Sequence, residues 1–186
     1  MTPPVAVIDT NVIVSGLIGG ARASPTTVIL DAMLGGRFTY LLSLDLLAEY
    51  REVLLRSAIR RRHGLTDAAV EVVLTELALN GTLHDPGPAA KALPDADDRH
   101  LWALLEDAAA AVLVTGDDAL RRRAPEPTRV LSPRQFLARL SGALRDAPGS
   151  PCPRSGGRPP SSARVPGRGA FALPRDRGRR AAPSTP

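Results

Sequence analysis

Short apolar runs recur along this chain, and two of them lead directly into an aspartate. Residues 5–8 (Val-Ala-Val-Ile) precede Asp9, and residues 111–114 (Ala-Val-Leu-Val) precede Thr115 and, two positions later, Asp117. Runs of this kind are typical of strands buried on both faces. An aspartate after a strand is also a common turn residue, so Asp9 alone decides little. The repeated pattern favours a site, because neighbouring parallel strands would bring both aspartates into one crevice.

The residues between the apolar runs show helical periodicity and capping side chains, which predict helices. Four predicted helix starts carry a side chain that caps helices well: Thr10 or Asn11, Ser24, Ser43 and Thr66. Glycines mark the predicted helix ends near positions 19, 35, 64 and 81. The helix after Ser43 is predicted to place five apolar side chains on one face: Leu44, Leu47, Tyr50, Val53 and Leu54.

Two further apolar runs complete the pattern of elements. Residues 38–42 and 128–131 predict two more strands, and helices are predicted after residue 98 and over residues 132–140. Strands and helices therefore alternate along the chain. This alternation predicts an α/β fold of three layers, with a mainly parallel central sheet flanked by helices.

Acidic residues accumulate at the predicted strand ends and helix starts. Four positions stand out: Asp9, Glu49, one of Asp97 or Asp98, and Asp117. Each has an ordinary explanation, such as pairing of Glu49 with Arg51 or Arg56, or acids favouring the dipole at a helix start. Carboxylates gathered in one crevice repel each other, and a divalent cation removes that penalty. Oxygen ligands suit Mg²⁺ or Mn²⁺, which indicates phosphodiester hydrolysis by a metal-activated water.

Four sequence blocks in a fixed order carry these acids. They are Val-Ile-Asp-Thr-Asn around Asp9, the helix at 44–54 around Glu49, Asp-Ala-Asp-Asp-Arg-His-Leu at 95–101, and Val-Thr-Gly-Asp ending at Asp117. Together they resemble PIN-domain ribonucleases, of the kind found as VapC-like toxins in toxin–antitoxin pairs. The similarity covers about residues 5–140 and includes Leu-Ser-Pro-Arg-Gln-Phe-Leu at 131–137, which is similar to the family's last strand and helix.

This resemblance implies a PIN-like fold and a metal-dependent endoribonuclease that hydrolyses RNA with Mg²⁺ or Mn²⁺, as the toxin of a type II toxin–antitoxin system. It implies an antitoxin partner and pairing as a homodimer. It also implies that four residues are catalytic and bind the metal: Asp9, Glu49, Asp98 and Asp117. Three polar residues would orient these ligands or a water: Thr10, Asn11 and Thr115.

The third acid of the resemblance has two candidate positions, Asp97 and Asp98. Asp98 matches the family's pattern because it precedes the apolar Leu101 by three positions. Arg99-His100 departs from the Asn or Asp followed by Lys that relatives often carry. Asp97 therefore stays open as the alternative ligand.

Positive charge is concentrated in the last part of the chain. Residues 147–186 hold eight arginines and one aspartate, a balance of +7, which leaves −2 for residues 1–146 out of the net +5. The rich Pro, Gly, Ser and Arg content predicts a disordered tail after a nuclease domain at 1–146. Two Arg triplets elsewhere are candidates for RNA phosphates, although basic residues also commonly end helices. They are Arg60, Arg61, Arg62, Arg121, Arg122 and Arg123.

Composition and motif content argue against several other classes of protein and leave one alternative. The single cysteine, Cys152, excludes a disulfide framework, and the absence of a signal-type segment or a long apolar run predicts a cytoplasmic protein. An aspartyl phosphatase would need a second acid two positions after Asp9, where Asn11 stands. The remaining alternative is a catalytically silent RNA-binding or partner-binding module of the same fold.

Overall fold

A computed structural model describes residues 4–19, 24–87, 99–108, 110–124 and 129–145 of the chain. Five strands lie within these ranges: β1 (Ala6–Ile8), β2 (Tyr40–Leu42), β3 (Thr82–Leu83), β4 (Val112–Val114) and β5 (Arg129–Leu131). The helices are α1 (Thr10–Gly19), α2 (Pro25–Leu34), α3 (Leu44–Leu55), α4 (Ser57–His63), α5 (Asp67–Asn80), α6 (Arg99–Asp107), α7 (Asp118–Arg123) and α8 (Pro133–Arg145). None of these described helices has the length and apolar character that crossing a bilayer requires.

The five strands form one parallel sheet in the order β3-β2-β1-β4-β5. Strand β1 is central, with Ala6 opposite Tyr40 of β2 on one side and Ile8 opposite Val114 of β4 on the other. Every residue of β1, β2 and β4 is buried, as expected for strands covered by helices on both faces. The predicted three-layer α/β fold with a parallel central sheet flanked by helices is confirmed.

The helices pack closely against each other as well as against the sheet. Helix α1 lies against α2, and a Cβ atom added at Gly16 would stand 2.9 Å from the carbonyl oxygen of Thr26. On another side of the core, the rings of Phe38 and Phe136 meet edge to face with centroids 5.0 Å apart. Both rings are buried, so this contact fixes α8 against the approach to β2.

Several boundaries differ from the sequence prediction. The predicted strand at 38–42 begins only at Tyr40. The two-residue strand β3, which was not predicted, is exposed and carries no apolar run. The region predicted to end at Gly64 divides at Arg56, where an extended ψ of 129° separates α3 from α4. Gly64 then ends α4 in the left-handed conformation, at φ 68°.

Two sequence predictions concern residues that the structure does not describe. The acidic block at 95–98, with Asp97 and Asp98, lies between the described ranges 24–87 and 99–108. The predicted tail at 147–186 lies beyond the last described residue. The choice between Asp97 and Asp98 and the division into a domain and a tail therefore stay predictions.

Candidate active site

Asp9 lies directly beyond the central strand, and its side chain is the centre of a hydrogen-bonded network. The register of β1 with β4 places Asp9 beside Thr115, and the Asp9 backbone N–H donates to the Val114 carbonyl at 3.0 Å. Asp9 Oδ2 accepts hydrogen bonds from Thr115 Oγ1 at 2.5 Å and from Asn11 Nδ2 at 2.7 Å. Asp9 Oδ1 accepts the backbone N–H of Asn11 at 3.2 Å. The carboxylate is therefore fixed from both α1 and β4.

Thr115 and Asn11 also bind each other. Thr115 Oγ1 accepts from Asn11 Nδ2 at 3.0 Å and from the Asp117 backbone N–H at 2.9 Å, while its own proton goes to Asp9. The Asn11 side-chain oxygen accepts the Gly116 N–H at 3.1 Å. Each polar group of these two side chains thus has a defined role. The result is a rigid connection between the ends of β1 and β4.

Glu49, on α3, approaches the same region and contacts His100 of α6. Glu49 Oε2 lies 2.6 Å from His100 Nε2, within the distance of an ion pair. The pKa of the Glu49 carboxyl lies below its usual value. Burial by itself would raise that pKa, but the polar contacts with His100 and the Thr10 hydroxyl and the positive charges of His100 and Arg56 outweigh burial.

The sequence offers Arg51 or Arg56 as an ordinary ion-pair partner for Glu49, but each of these arginines pairs with a different glutamate. Arg51 pairs with Glu71 of α5 at 2.6 Å. Arg56 pairs with Glu52 at 2.7 Å, one helical turn away. Both of those pairs are exposed, whereas Glu49 turns toward the strand ends.

His100 is the site residue that the sequence reasoning missed. It precedes Ala103 and Leu104 by three and four positions, and both of those side chains are buried. Residues at this spacing share one helix face, so the pattern placed His100 on the inward face of α6. Its contact with Glu49 depends on how α3 and α6 pack, which the sequence pattern does not specify.

Tyr50 of α3 lies within the electrostatic influence of both Asp9 and Glu49. Its side chain is fully buried, and its hydroxyl donates a hydrogen bond to the carbonyl oxygen of Ile8. Burial raises the pKa of Tyr50 well above 10, and the negative charges of Asp9 and Glu49 raise that pKa further. Both carboxylates therefore act on one phenol group.

Asp117 takes a structural role at the edge of this network. Its carboxylate is exposed, and Oδ1 accepts the backbone N–H groups of Ala119 at 2.7 Å and Leu120 at 3.3 Å. It therefore caps α7. Only its backbone N–H, which binds Thr115, joins it to the hydrogen bonds around Asp9 described above.

The donors at this site are carboxylate oxygens, which fit a hard cation such as Mg²⁺ or Mn²⁺. Asp9 is 8% exposed and therefore buried, whereas the Glu49 side chain is 35% exposed and only partly buried. Among the described residues, no three Asp, Glu, His or Cys side chains lie close enough to form a metal cluster. The predicted ligand Asp98 and its alternative Asp97 fall outside those residues.

Two of the six arginines predicted to contact RNA form ion pairs with aspartates of the chain. Arg60 pairs with Asp67 at 2.8 Å, and Arg121 pairs with Asp118 at 2.7 Å. The side chains of Arg61, Arg62 and Arg122 are exposed, and that of Arg123 is outside the described part. Their role toward phosphates stays a prediction.

Most of the described sheet and the residues around Asp9 fall within a match to a known protein family. The PIN domain matches residues 5–119, more than half of the chain, and the chain belongs to the PIN-domain family. PIN domains are generally metal-dependent nucleases, which places the chain among hydrolases of nucleic acids. No curated protein matches it significantly.

Proposed function

We propose that this chain is an endoribonuclease that uses Mg²⁺ or Mn²⁺ to hydrolyse RNA. The observation that supports this most is the buried Asp9 carboxylate at the end of the central strand, fixed by Asn11 and Thr115 with Glu49 nearby. Such an arrangement holds an oxygen ligand rigidly at the edge where parallel sheets bind ligands. A fixed position lowers the cost of organising ligands around a cation.

Four residues would hold the ion: Asp9, Glu49, Asp98 and Asp117. When bound, it would lower the pKa of a water and neutralise charge on the phosphate. Asn11 and Thr115 keep the Asp9 carboxylate in one orientation through their hydrogen bonds. Asp98 is included because it precedes Leu101, a buried residue of α6, by three positions.

Two of these acids have other partners in the described structure, and this favours a second candidate function. Glu49 contacts His100, and the Asp117 carboxylate caps α7. A catalytically silent module that binds RNA or a protein would retain both contacts. RNA cleavage separates the candidates, because the His100 contact uses Glu49 Oε2 and both candidates can keep it, whereas only the nuclease hydrolyses RNA.

We infer a VapC-like toxin paired with an antitoxin protein, acting in the cytoplasm and capable of forming a homodimer, on the resemblance of the acidic blocks. Residues 1–146 would be the nuclease domain and residues 147–186 an arginine-rich tail. The exposed Arg61, Arg62 and Arg122 would meet RNA phosphates.

Metal-dependent cleavage by the full chain tests the proposed activity. A labelled single-stranded RNA is incubated with the purified protein in Mn²⁺, in Mg²⁺, and in EDTA. The proposal expects internal cleavage with either ion and none in EDTA, with activity restored on re-adding Mn²⁺. RNA binding without cleavage in any metal would support the silent module and contradict the nuclease.

A further inference from the structure

Tyr50 links the helix that carries Glu49 to the strand end that carries Asp9. The phenol group is fully buried on α3, and its hydroxyl donates to the carbonyl of Ile8, 42 positions earlier in the chain. Tyr50 directly follows Glu49, and Ile8 directly precedes Asp9. One hydrogen bond therefore connects the backbone neighbours of both acids.

The bond also acts on a single peptide unit. The Ile8 carbonyl and the Asp9 N–H belong to the same planar peptide group. On its N–H side this group donates to the Val114 carbonyl of β4 at 3.0 Å. On its carbonyl side it accepts the Tyr50 hydroxyl. The peptide plane that leads into Asp9 is thus held from β4 on one side and from α3 on the other.

We propose that Tyr50 is a positioning residue, which sets the separation between the Asp9 and Glu49 carboxylates without touching the substrate. If the hydroxyl is lost, the peptide plane before Asp9 is held only from β4, and α3 loses its hydrogen bond to the backbone at the end of β1. The two acids then keep their chemistry but lose their fixed spacing. This inference rests on the proposed function only in taking those acids as metal ligands.

Tyr40 provides a matched control, because it is the chain's other tyrosine and makes the same kind of bond elsewhere. It too is fully buried, and its hydroxyl donates to the Leu77 carbonyl at 2.7 Å, between β2 and α5. Tyr50→Phe and Tyr40→Phe each delete one buried hydroxyl that binds a backbone carbonyl. A merely structural role predicts the same consequences for both variants.

Manganese affinity, measured by calorimetry on the full chain, separates these variants. We expect Tyr50→Phe to weaken Mn²⁺ binding by about tenfold or more, as loss of a group supporting a metal ligand does. Tyr40→Phe should bind Mn²⁺ as the parent does, with a similar loss of thermal stability. In RNA cleavage at saturating Mn²⁺, Tyr50→Phe should lower kcat more than it raises KM. Equal Mn²⁺ affinities in the two variants would overturn the proposal.

Amide exchange at Asp9, followed by NMR without metal, tests the positioning independently of any nuclease activity. Tyr50→Phe should speed exchange of the Asp9 N–H, whereas Tyr40→Phe should leave it unchanged. Unchanged exchange in Tyr50→Phe would overturn the positioning role even in an active enzyme. If the parent cleaves no RNA, the nuclease proposal fails and this exchange measurement still decides the role of Tyr50.

A third variant covers the case in which Tyr50→Phe does not fold. Replacement of Tyr50 by 4-aminophenylalanine keeps a weaker donor at the same place on the ring. Its Asp9 amide should exchange faster than in the parent. Exchange as slow as in the parent, despite the weaker donor, would count against the proposal.

Discussion

The Thr115 hydroxyl donates a hydrogen bond of 2.5 Å to Asp9 Oδ2, across 106 positions of sequence. The pairing of Ile8 with Val114 in the adjacent strands makes this contact possible, because it places the next residue of each strand side by side. Thr115 and Asp9, each of which resembles a turn residue in the sequence, are therefore joined by a hydrogen bond in the folded chain. Their geometry supports several expectations about stability and activity.

Thr115→Val tests the contribution of that hydroxyl at nearly constant volume. The change removes a donor to Asp9 and leaves the Asp117 N–H without this acceptor. Because Thr115 is fully buried, we expect a loss of about 1–3 kcal/mol in the free energy of unfolding. Manganese affinity should also fall about tenfold.

Thr75→Val is the control for this change, measured by urea unfolding and calorimetry. Its hydroxyl donates to the Glu71 carbonyl within an exposed part of α5. It should alter stability by less than about 0.5 kcal/mol. Equal effects of the two valine variants would contradict the role given to Thr115.

Asp117→Asn separates a capping role from a metal-binding role. Asparagine caps helices about as well as aspartate, so the folding stability should change by no more than about 0.5 kcal/mol. Metal-dependent cleavage should nevertheless be lost, because an amide is a poor substitute for a carboxylate ligand. Asp117→Ala should lose cleavage and also about 1 kcal/mol of stability. An active Asp117→Asn enzyme would reduce Asp117 to the cap of α7.

The choice between Asp97 and Asp98 is open to a direct comparison of two variants. We expect Asp98→Asn to remove RNA cleavage at saturating Mn²⁺ and Asp97→Asn to retain most of it. The reason is the position of Asp98 three residues before Leu101, which is 2% exposed on α6. The opposite ranking of the two cleavage rates would reassign the ligand to Asp97.

The two tyrosines predict how the fold responds to alkali. Burial raises the pKa of Tyr40 to about 12, and burial together with the charges of Asp9 and Glu49 raises that of Tyr50 well above 10. Raised pKa values favour the neutral phenols in the folded state. Their contribution to stability is therefore complete below the ordinary tyrosine pKa of 10 and is lost as the pH rises from 10 through about 12.

Phenolate absorbance and circular dichroism, recorded together during an alkaline titration, check this expectation. The native protein should show almost no phenolate at pH 10, and phenolate should appear with unfolding at higher pH. Half-ionised tyrosine at pH 10 with an intact native spectrum would contradict the buried environments of both side chains.

The elements that the sequence predicted best are those with continuous local patterns. The buried runs that became β1 and β4 lack polar interruption, and Ser24, Ser43 and Thr66 cap the helices expected of them. Strand β3 was missed because two exposed residues carry no periodicity. The apolar face predicted for α3 was wrong at Leu44, which is 72% exposed at the first turn, where fewer neighbours cover it.

The sequence suggested candidate residues for the site but not their contacts. Strand adjacency pointed to Asp9 and Asp117, and the family resemblance added Glu49 and Thr115; their roles stay predictions. The contact of Glu49 with His100 joins two helices through tertiary packing. Likewise, Tyr50 fitted the apolar stripe of α3, but only the assembled sheet shows that its hydroxyl reaches Ile8. Such pairings depend on distant segments and leave no local pattern.

The most direct test of the central claim is Mn²⁺-dependent cleavage of single-stranded RNA by Asp9→Asn, beside the parent and Asp31→Asn. Asp31 is exposed on α2 and controls for removal of one negative charge. We expect Asp9→Asn to fold but to show no detectable metal-dependent cleavage, and Asp31→Asn to cleave as the parent does. Cleavage by Asp9→Asn at the parental rate would show that Asp9 is not a required metal ligand.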